Sequence, residues 1–333
     1  MTSIKNILVT GGCGFIGSHL SLLLKKKKFN VTVIDNLSIG KKKLFKGSKF
    51  YNLDLSNLKE LDKVFKNNNF DLVYHLAGLS NVAESNTKKA IYKRNNIKST
   101  KNLIELIKKY NVNKFIFSSS ASVYGIQKKF PIKENALLSP ISYYGKTKLI
   151  CEKIIKKNSS KNTYKSICLR YFNVLGCDFK NKLGEVNNPP IHLIPIFIRN
   201  ILQNKEVKLR NNFKTKDRTG IRDYVHVEDI VNAHYKCLDG INKIKHPFIA
   251  INLGSRVQYS SKEIFEFIKK KFDNKGIKVS FTNKKKGEPD KLLASNNLAK
   301  KILKWSPKKN IKNSILDMIK WEKYKLKKNY KFY

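Results

Sequence analysis

The chain has 333 residues, 41% of them hydrophobic, and a formal net charge of +45 at pH 7. That length suits a large α/β domain with a second lobe rather than one small core, and no run approaches the roughly 20 apolar residues of a membrane span. The charge alone suggests a polyanion partner. However, the basic residues are overwhelmingly Lys, scattered among Asn and Ile, while Arg, the residue that forks onto phosphates and bases, is scarce, so a diffusely basic surface is preferred over a specific nucleic-acid patch.

The five cysteines (Cys13, Cys151, Cys168, Cys177 and Cys237) form no C-x-x-C pair, and the histidines form no H-x-x-x-H pair. Reduced thiols, a cytoplasmic location and no metal site are expected. The first strand is expected from about Ile4, which leaves no room for a signal peptide before it.

In chain order, NILVT (6–10) reads as a buried strand, and FIGSHLSLLLKKKK (15–28) as a helix. VTVID (31–35), KFYNLDL (49–55) and DLVYHLAG (71–78) read as further strands, followed by helices near 84–110. KFIFSSS (114–120) is another strand, a helix begins near Tyr143, and KSICLRYF (165–172) is a sixth strand. Strand–helix alternation of this kind predicts a doubly wound parallel Rossmann sheet with right-handed crossovers. Beyond Cys177 the pattern loosens through NNPPIHLIP (187–195) and a charged loop (211–222). DYVHVEDIVNAHYKCL (223–238) again reads as core strand and helix, and helices are expected at 260–272 and 310–326. The division expected is a nucleotide-binding domain of residues 1–177 and 223–254 and a smaller, discontinuous C-terminal substrate lobe of 178–222 and 255–333.

LVTGGCGFIGSHL (8–20) places a glycine-rich turn between a strand and a helix. Gly11 permits the turn, Gly14 lets a pyrophosphate approach the backbone, and Gly17 lets the helix pack close to the sheet. The next strand ends in Asp35, a carboxylate suited to the ribose hydroxyls of NAD and repulsive to the 2′-phosphate of NADP. A structural glycine turn is the plain alternative; the paired acid favours NAD.

SYYGKTK (142–148) holds Tyr144 and Lys148 at i and i+4, one face of a helix. A free phenol titrates near ~10. A neighbouring ammonium and the positive nicotinamide ring would favour the phenolate; lowering its pKa by ~3 units requires about 4 kcal/mol. Tyr143 is the rival, but the residue four positions on is Thr147. A Y-x-x-x-K pair is common by chance in so lysine-rich a chain, and its context decides. Upstream, KFIFSSS ends in serines able to hydrogen-bond a reacting hydroxyl.

Serine, tyrosine and lysine in this order after the glycine fingerprint resemble the extended short-chain dehydrogenase/reductase family. Within it, HLAGLSNVAES (75–85), SSSASVYG (118–125), YYGKTKLICE (143–152), LRYFNVLG (169–176), HLIP (192–195), RTGIRDYVHVEDI (218–230) and NLGS (252–255) are similar to the UDP-glucose 4-epimerases. The resemblance runs to about Trp305. Ala121 and Ser122 stand where sugar dehydratases carry an Asp–Glu pair, which argues against dehydration. The resemblance implies interconversion of UDP-galactose and UDP-glucose, with oxidation at C4, rotation of the tethered keto sugar and hydride return to its other face. It implies Ser120, Tyr144 and Lys148 as catalytic residues. It places Phe15, Ile16, Asn36, Asp54, Leu55, Leu76, Ala77, Gly78, Asn95 and Tyr171 near NAD. Against the UDP-sugar it places Asn173, His192, Arg222 (on the diphosphate), Lys285, Glu288 and Leu292.

The plain alternatives for Arg222 are ion pairs with Asp223 or Asp229. There are departures. Ser80 replaces a lysine that contacts the cofactor in many relatives, and Lys285-Lys286-Gly287-Glu288 stands where relatives carry Arg-x-Gly-Asp. The resemblance sets Leu292 at a position that sizes the sugar pocket, and by that implication UDP-GlcNAc is a candidate second substrate. A homodimer is implied, with helices 84–110 and 143–158 as the expected contact. Other UDP-sugar epimerases (xylose/arabinose or glucuronate) and a basic nucleic-acid-associated NAD-fold protein are the alternative readings.

Overall fold

A computed structural model describes residues 4–160, 164–272 and 276–328. The strands of the first half are β1 (Asn6–Thr10), β2 (Asn30–Asp35), β3 (Lys49–Asn52), β4 (Leu72–His75), β5 (Lys114–Ser120) and β6 (Lys165–Tyr171). They continue with β7 (Asn173–Leu175), β8 (Val207–Asn211), β9 (Ile221–His226), β10 (Phe248–Leu253), β11 (Gln258–Ser260), β12 (Val279–Asn283) and β13 (Lys291–Leu292). Seven of them form one parallel sheet in the order β10-β6-β5-β4-β1-β2-β3.

Alternation along these strands explains the layers. Ile7, Val9, Val31, Val33 and Tyr74 face one helical layer, including Phe15–Lys26 and Val227–Lys243. Leu8, Ile34, Val73, Phe115 and Phe117 face the other, with Leu58–Lys66, Ser99–Lys109 and Tyr143–Ser159. Both faces are covered, so the strands read as continuous apolar runs. Because β1 is flanked by β2 and β4, the connections diverge there. That switch point opens a crevice at the carboxyl ends of the strands.

Three expectations are corrected. The strands read over 49–55 and 71–78 stop at Asn52 and His75. The helical stretch near 84–110 is broken into Val82–Ser85, Lys89–Tyr92, a π turn over Lys93–Lys98, and Ser99–Lys109. The loose region after Cys177 contains the helix Leu193–Leu202, with Pro195 in its first turn, where a missing N–H removes no helical bond.

The second half builds a smaller body. β9 pairs with β7, β11 and β13 instead of joining the central sheet, and β8 pairs with β12. Helices Leu193–Leu202, Ser261–Lys270 and Ile311–Lys327 pack with β8 around Phe197, Phe265, Ile315 and Tyr224. Among the described residues, no helix is long and apolar enough to cross a membrane, and no cluster of His, Cys, Asp and Glu has metal-binding geometry.

Candidate active site

One cleft of about 1220 Å³ runs from the carboxyl ends of the central strands to the smaller body. Its floor at the sheet end is the glycine turn. Gly11 has φ +71°, and a Cβ there would lie 2.7 Å from the backbone N of Ala77. A Cβ on Gly17 would lie 2.1 Å from the Gly11 carbonyl oxygen. The helix Phe15–Lys26 therefore starts in contact with the turn, with no side-chain cap and no acidic residue in its first turn. Helix geometry leaves the first N–H groups without intrahelical acceptors, facing the cleft. A dinucleotide pyrophosphate fits this cradle, whose close backbone packing a side chain at either glycine would force apart.

Asp35, at the end of β2, is buried beside the turn. It accepts from the Cys13 N–H at 2.9 Å and the Leu37 N–H at 2.8 Å, while burial raises its carboxyl above the usual range. Asn36 and Leu55 line the same end. Asp54 lines it too, but its carboxylate is also held by Arg94 at 2.6 Å and the Ser56 N–H at 2.8 Å. Leu76, Ala77, Gly78, Ser80 and Asn95 border the middle.

The catalytic candidates converge at the ends of β5 and the helix Tyr143–Ser159. Ser142 caps that helix, its hydroxyl accepting from the Gly145 N–H at 3.1 Å. Successive i, i+4 positions then place Tyr144, Lys148 and Glu152 on one buried face. Lys148 donates to the Ser118 carbonyl at 2.7 Å, and its ammonium lies 5.9 Å from the centre of the Tyr144 ring. Burial pulls the Lys148 pKa down to about 8. Burial also raises the Tyr144 phenol above its ordinary value, opposed by a hydrogen bond with Ser120. The lowering expected from Lys148 does not appear: desolvation raises the phenol, and the hydrogen bond with Ser120 is what opposes it. Tyr171 borders this corner, and its hydroxyl is 2.7 Å from Nε2 of His234 in the core.

At the far end, Arg222 on β9 reaches into the cleft. It pairs with neither Asp223 nor Asp229: its Nη2 approaches Glu288 Oε1 at 3.4 Å, and its Nη1 donates to the Ile221 carbonyl at 2.9 Å. Asp223 is instead consumed by the N–H groups of Ser255, Arg256 and Ala294, and Asp229 by those of Lys308 and Lys309. Burial depresses the Arg222 pKa, partly offset by Tyr224 and Glu288. Asn173 donates to the Asp223 carbonyl at 3.1 Å, and Leu292 sits on β13 opposite Arg222. Lys285 borders the cleft, its backbone N–H on Glu288. His192 stands half-exposed at the rim, with Nδ1 2.9 Å from buried Glu185. Burial disfavours its charged form, but Glu185 outweighs this and raises the histidine pKa.

Four supporting groups were not singled out from sequence. Asn96, delivered by the π turn, accepts from the Leu79 N–H and donates to the Leu79 carbonyl and Thr147, tying the β4 loop to the catalytic helix. Glu152 receives a bidentate pair from Arg170 and a hydrogen bond from Ser119, fixing that helix against β5 and β6. Glu185 holds His192. Arg210 binds Glu288. Glu152 and Arg170 sit inside motifs quoted above; the scarcity of Arg was the available signal for Arg210.

The NAD dependent epimerase/dehydratase family matches residues 7–254. A UDP-glucose 4-epimerase of Lactobacillus helveticus is 37% identical over 323 residues, covering 95% of this chain and 97% of that protein. A crystal structure of a UDP-glucose 4-epimerase superposes with a TM-score of 0.90 at 34% identity, covering 97% of this chain and 98% of that one. A UDP-glucose 4-epimerase from Bifidobacterium longum in complex with NAD+ and UDP gives a TM-score of 0.88 at 32% identity, over 96% of this chain and 98% of that one.

Proposed function

The chain belongs to the NAD dependent epimerase/dehydratase family, and from that premise we propose that it interconverts UDP-galactose and UDP-glucose by transient oxidation at C4 of the sugar. The observation that carries the reading is one continuous cleft. It has Ser120, Tyr144 and Lys148 at one end and Arg222 at the other, with the glycine cradle beside the first. When bound, NAD supplies the acceptor for the C4 hydride and gives it back.

The chain's own residues do the rest. Gly11, Gly14 and the N–H groups of Phe15, Ile16 and Gly17 hold the pyrophosphate, and Asp35 and Asn36 the adenosine ribose. Asp54 and Leu55 border the adenine; Leu76, Ala77, Gly78, Asn95 and Tyr171 line the path to the nicotinamide. Tyr144 accepts the proton of the C4 hydroxyl, steadied by Ser120, and returns it after the keto sugar has turned. Lys148 stabilises the phenolate; its short bond to the Ser118 carbonyl keeps its charge beside the ring. Arg222, Asn173, His192, Lys285, Glu288 and Leu292 grip the UDP-sugar, so that one tethered substrate presents both faces. In this division, residues 1–177 and 223–254 carry NAD, and 178–222 and 255–333 carry the UDP-sugar. Leu292 lines the cleft, and if it sizes the sugar pocket the reading extends to N-acetylated sugars; failure to turn over UDP-GalNAc would remove that extension.

We infer a homodimer through Val82, Ile91 and Ile150. They are exposed on neighbouring helices that pack together, and charge placed on Ile150 should yield a monomer in sedimentation. All five cysteines are buried free thiols, which suits the cytoplasm. The deciding experiment gives purified protein UDP-galactose, first without and then with added NAD, and assays UDP-glucose. Conversion supports the proposal; none under either condition overturns it.

A further inference from the structure

β8 alternates in the usual period of two. Val207 and Leu209 enter the core of the smaller body, while Lys208 and Arg210 point outward at the cleft. Arg210 Nη1 donates to both carboxylate oxygens of Glu288, at 3.0 and 3.1 Å. Arg222 reaches the same Oε1 from β9 at 3.4 Å. Two guanidinium groups from different strands thus converge on one anion at the wall of the cleft. They carry two positive charges against its single negative one, and Lys285 adds another cation at the same end.

Arg222 cannot offer its whole fork, because Nη1 is held by the Ile221 carbonyl and lies 3.5 Å from that of Asp290. Lys285 is a point charge without a fork, and its backbone is bound to Glu288. A diphosphate, with more acceptor oxygens and more charge than a carboxylate, calls for a second planar donor. We propose that Arg210 is that donor. It is a substrate-binding residue of the diphosphate subsite, held by Glu288 and transferring to the diphosphate of the incoming nucleotide.

Magnitudes favour the exchange. The Arg210 side chain is 45% exposed, and a pair that open to water contributes little and is readily given up. Charge-assisted bonds from a guanidinium to phosphate oxygens are stronger and fix geometry as well. This inference rests on the UDP-sugar reading above.

The test is calorimetric titration of the purified enzyme with UDP, with uridine binding measured by competition, in wild type, Arg210→Ala and Arg210→Lys. The alanine variant should bind UDP about 10- to 100-fold more weakly and uridine unchanged, because only the diphosphate loses a partner. The lysine variant should recover part of the loss. Turnover should show a raised KM with kcat within about twofold. Unchanged UDP affinity in Arg210→Ala would overturn the inference and leave Arg210 a surface ion pair. Equal losses for UDP and uridine would overturn it too, by showing that Arg210 acts through the folding of the lobe. A wild type that binds no UDP would instead bring down the UDP-sugar reading itself.

Discussion

The two ends of the cleft are built on opposite principles. At the sheet end, Tyr144, Lys148 and Ser120 stand on a helix and a strand of the central sandwich. Tyr144 and Lys148 are buried and Ser120 is half-buried, and the buried Arg170–Glu152 pair locks this corner in register. At the far end, Arg222, Arg210, Lys285, Glu288 and His192 come from short strands and loops. Most are partly wet, and their charges are already engaged: Arg210 and Arg222 with Glu288, and His192 with Glu185. Under the proposed function, the chemistry would depend on fixed distances in a buried corner, and binding on charges that change partners. Perturbations at the first end should therefore cut kcat or stability, and those at the second should move KM.

The largest effect expected is from Tyr144→Phe. Losing the proton acceptor should lower kcat at least about 10²- to 10⁴-fold, with KM little changed. A full KM effect without a kcat effect would put Tyr144 on the binding side of the comparison. Next is the lock itself. Glu152→Ala strands the Arg170 guanidinium in the interior, where breaking such a pair costs about 3–5 kcal/mol. Urea unfolding should show that loss, and a near-neutral result would mean the sheet end is not held by this pair.

The pH profile sharpens the same point. Lys148, with its pKa lowered to about 8, is an ammonium below that pH and neutral above it. The kcat/KM of wild type should fall on the alkaline side near pH 8, and Lys148→Arg should move that limb upward. The smallest effect belongs to the wet end. Glu185 keeps His192 protonated above the ordinary histidine range, so UDP affinity should weaken modestly as the pH rises through that raised pKa. In His192→Gln this dependence should disappear from binding titrations.

Legibility in the sequence followed the same line. The central sheet was readable because its strands are buried on both faces and alternate with helices. The glycine cradle and the i, i+4 pair of Tyr144 and Lys148 are local patterns. The smaller body was not readable, because its strands are short and pair with distant segments. β9 reads as a core strand, yet its partners are β7, β11 and β13, and only the fold brings these together. Helix Leu193–Leu202 was hidden by Pro195, which a first turn accommodates. The Glu288 partner of Arg222 was not readable, because the two residues are distant in sequence and only the fold brings them together. One signal was present throughout. In a chain that uses Lys almost everywhere, five of the seven arginines (Arg94, Arg170, Arg199, Arg210 and Arg222) meet a carboxylate, so a rare Arg was a useful marker of a place where geometry mattered.

The central claim is that hydrogen leaves and returns to C4 within one closed site while Tyr144 handles only the hydroxyl proton. UDP-galactose deuterated at C4, converted in ordinary water, tests it most directly by mass and NMR analysis of the product. The account predicts UDP-glucose that keeps its deuterium at C4. Deuterium lost to solvent would mean that the C4 hydrogen moves as an exchangeable proton, and would contradict it.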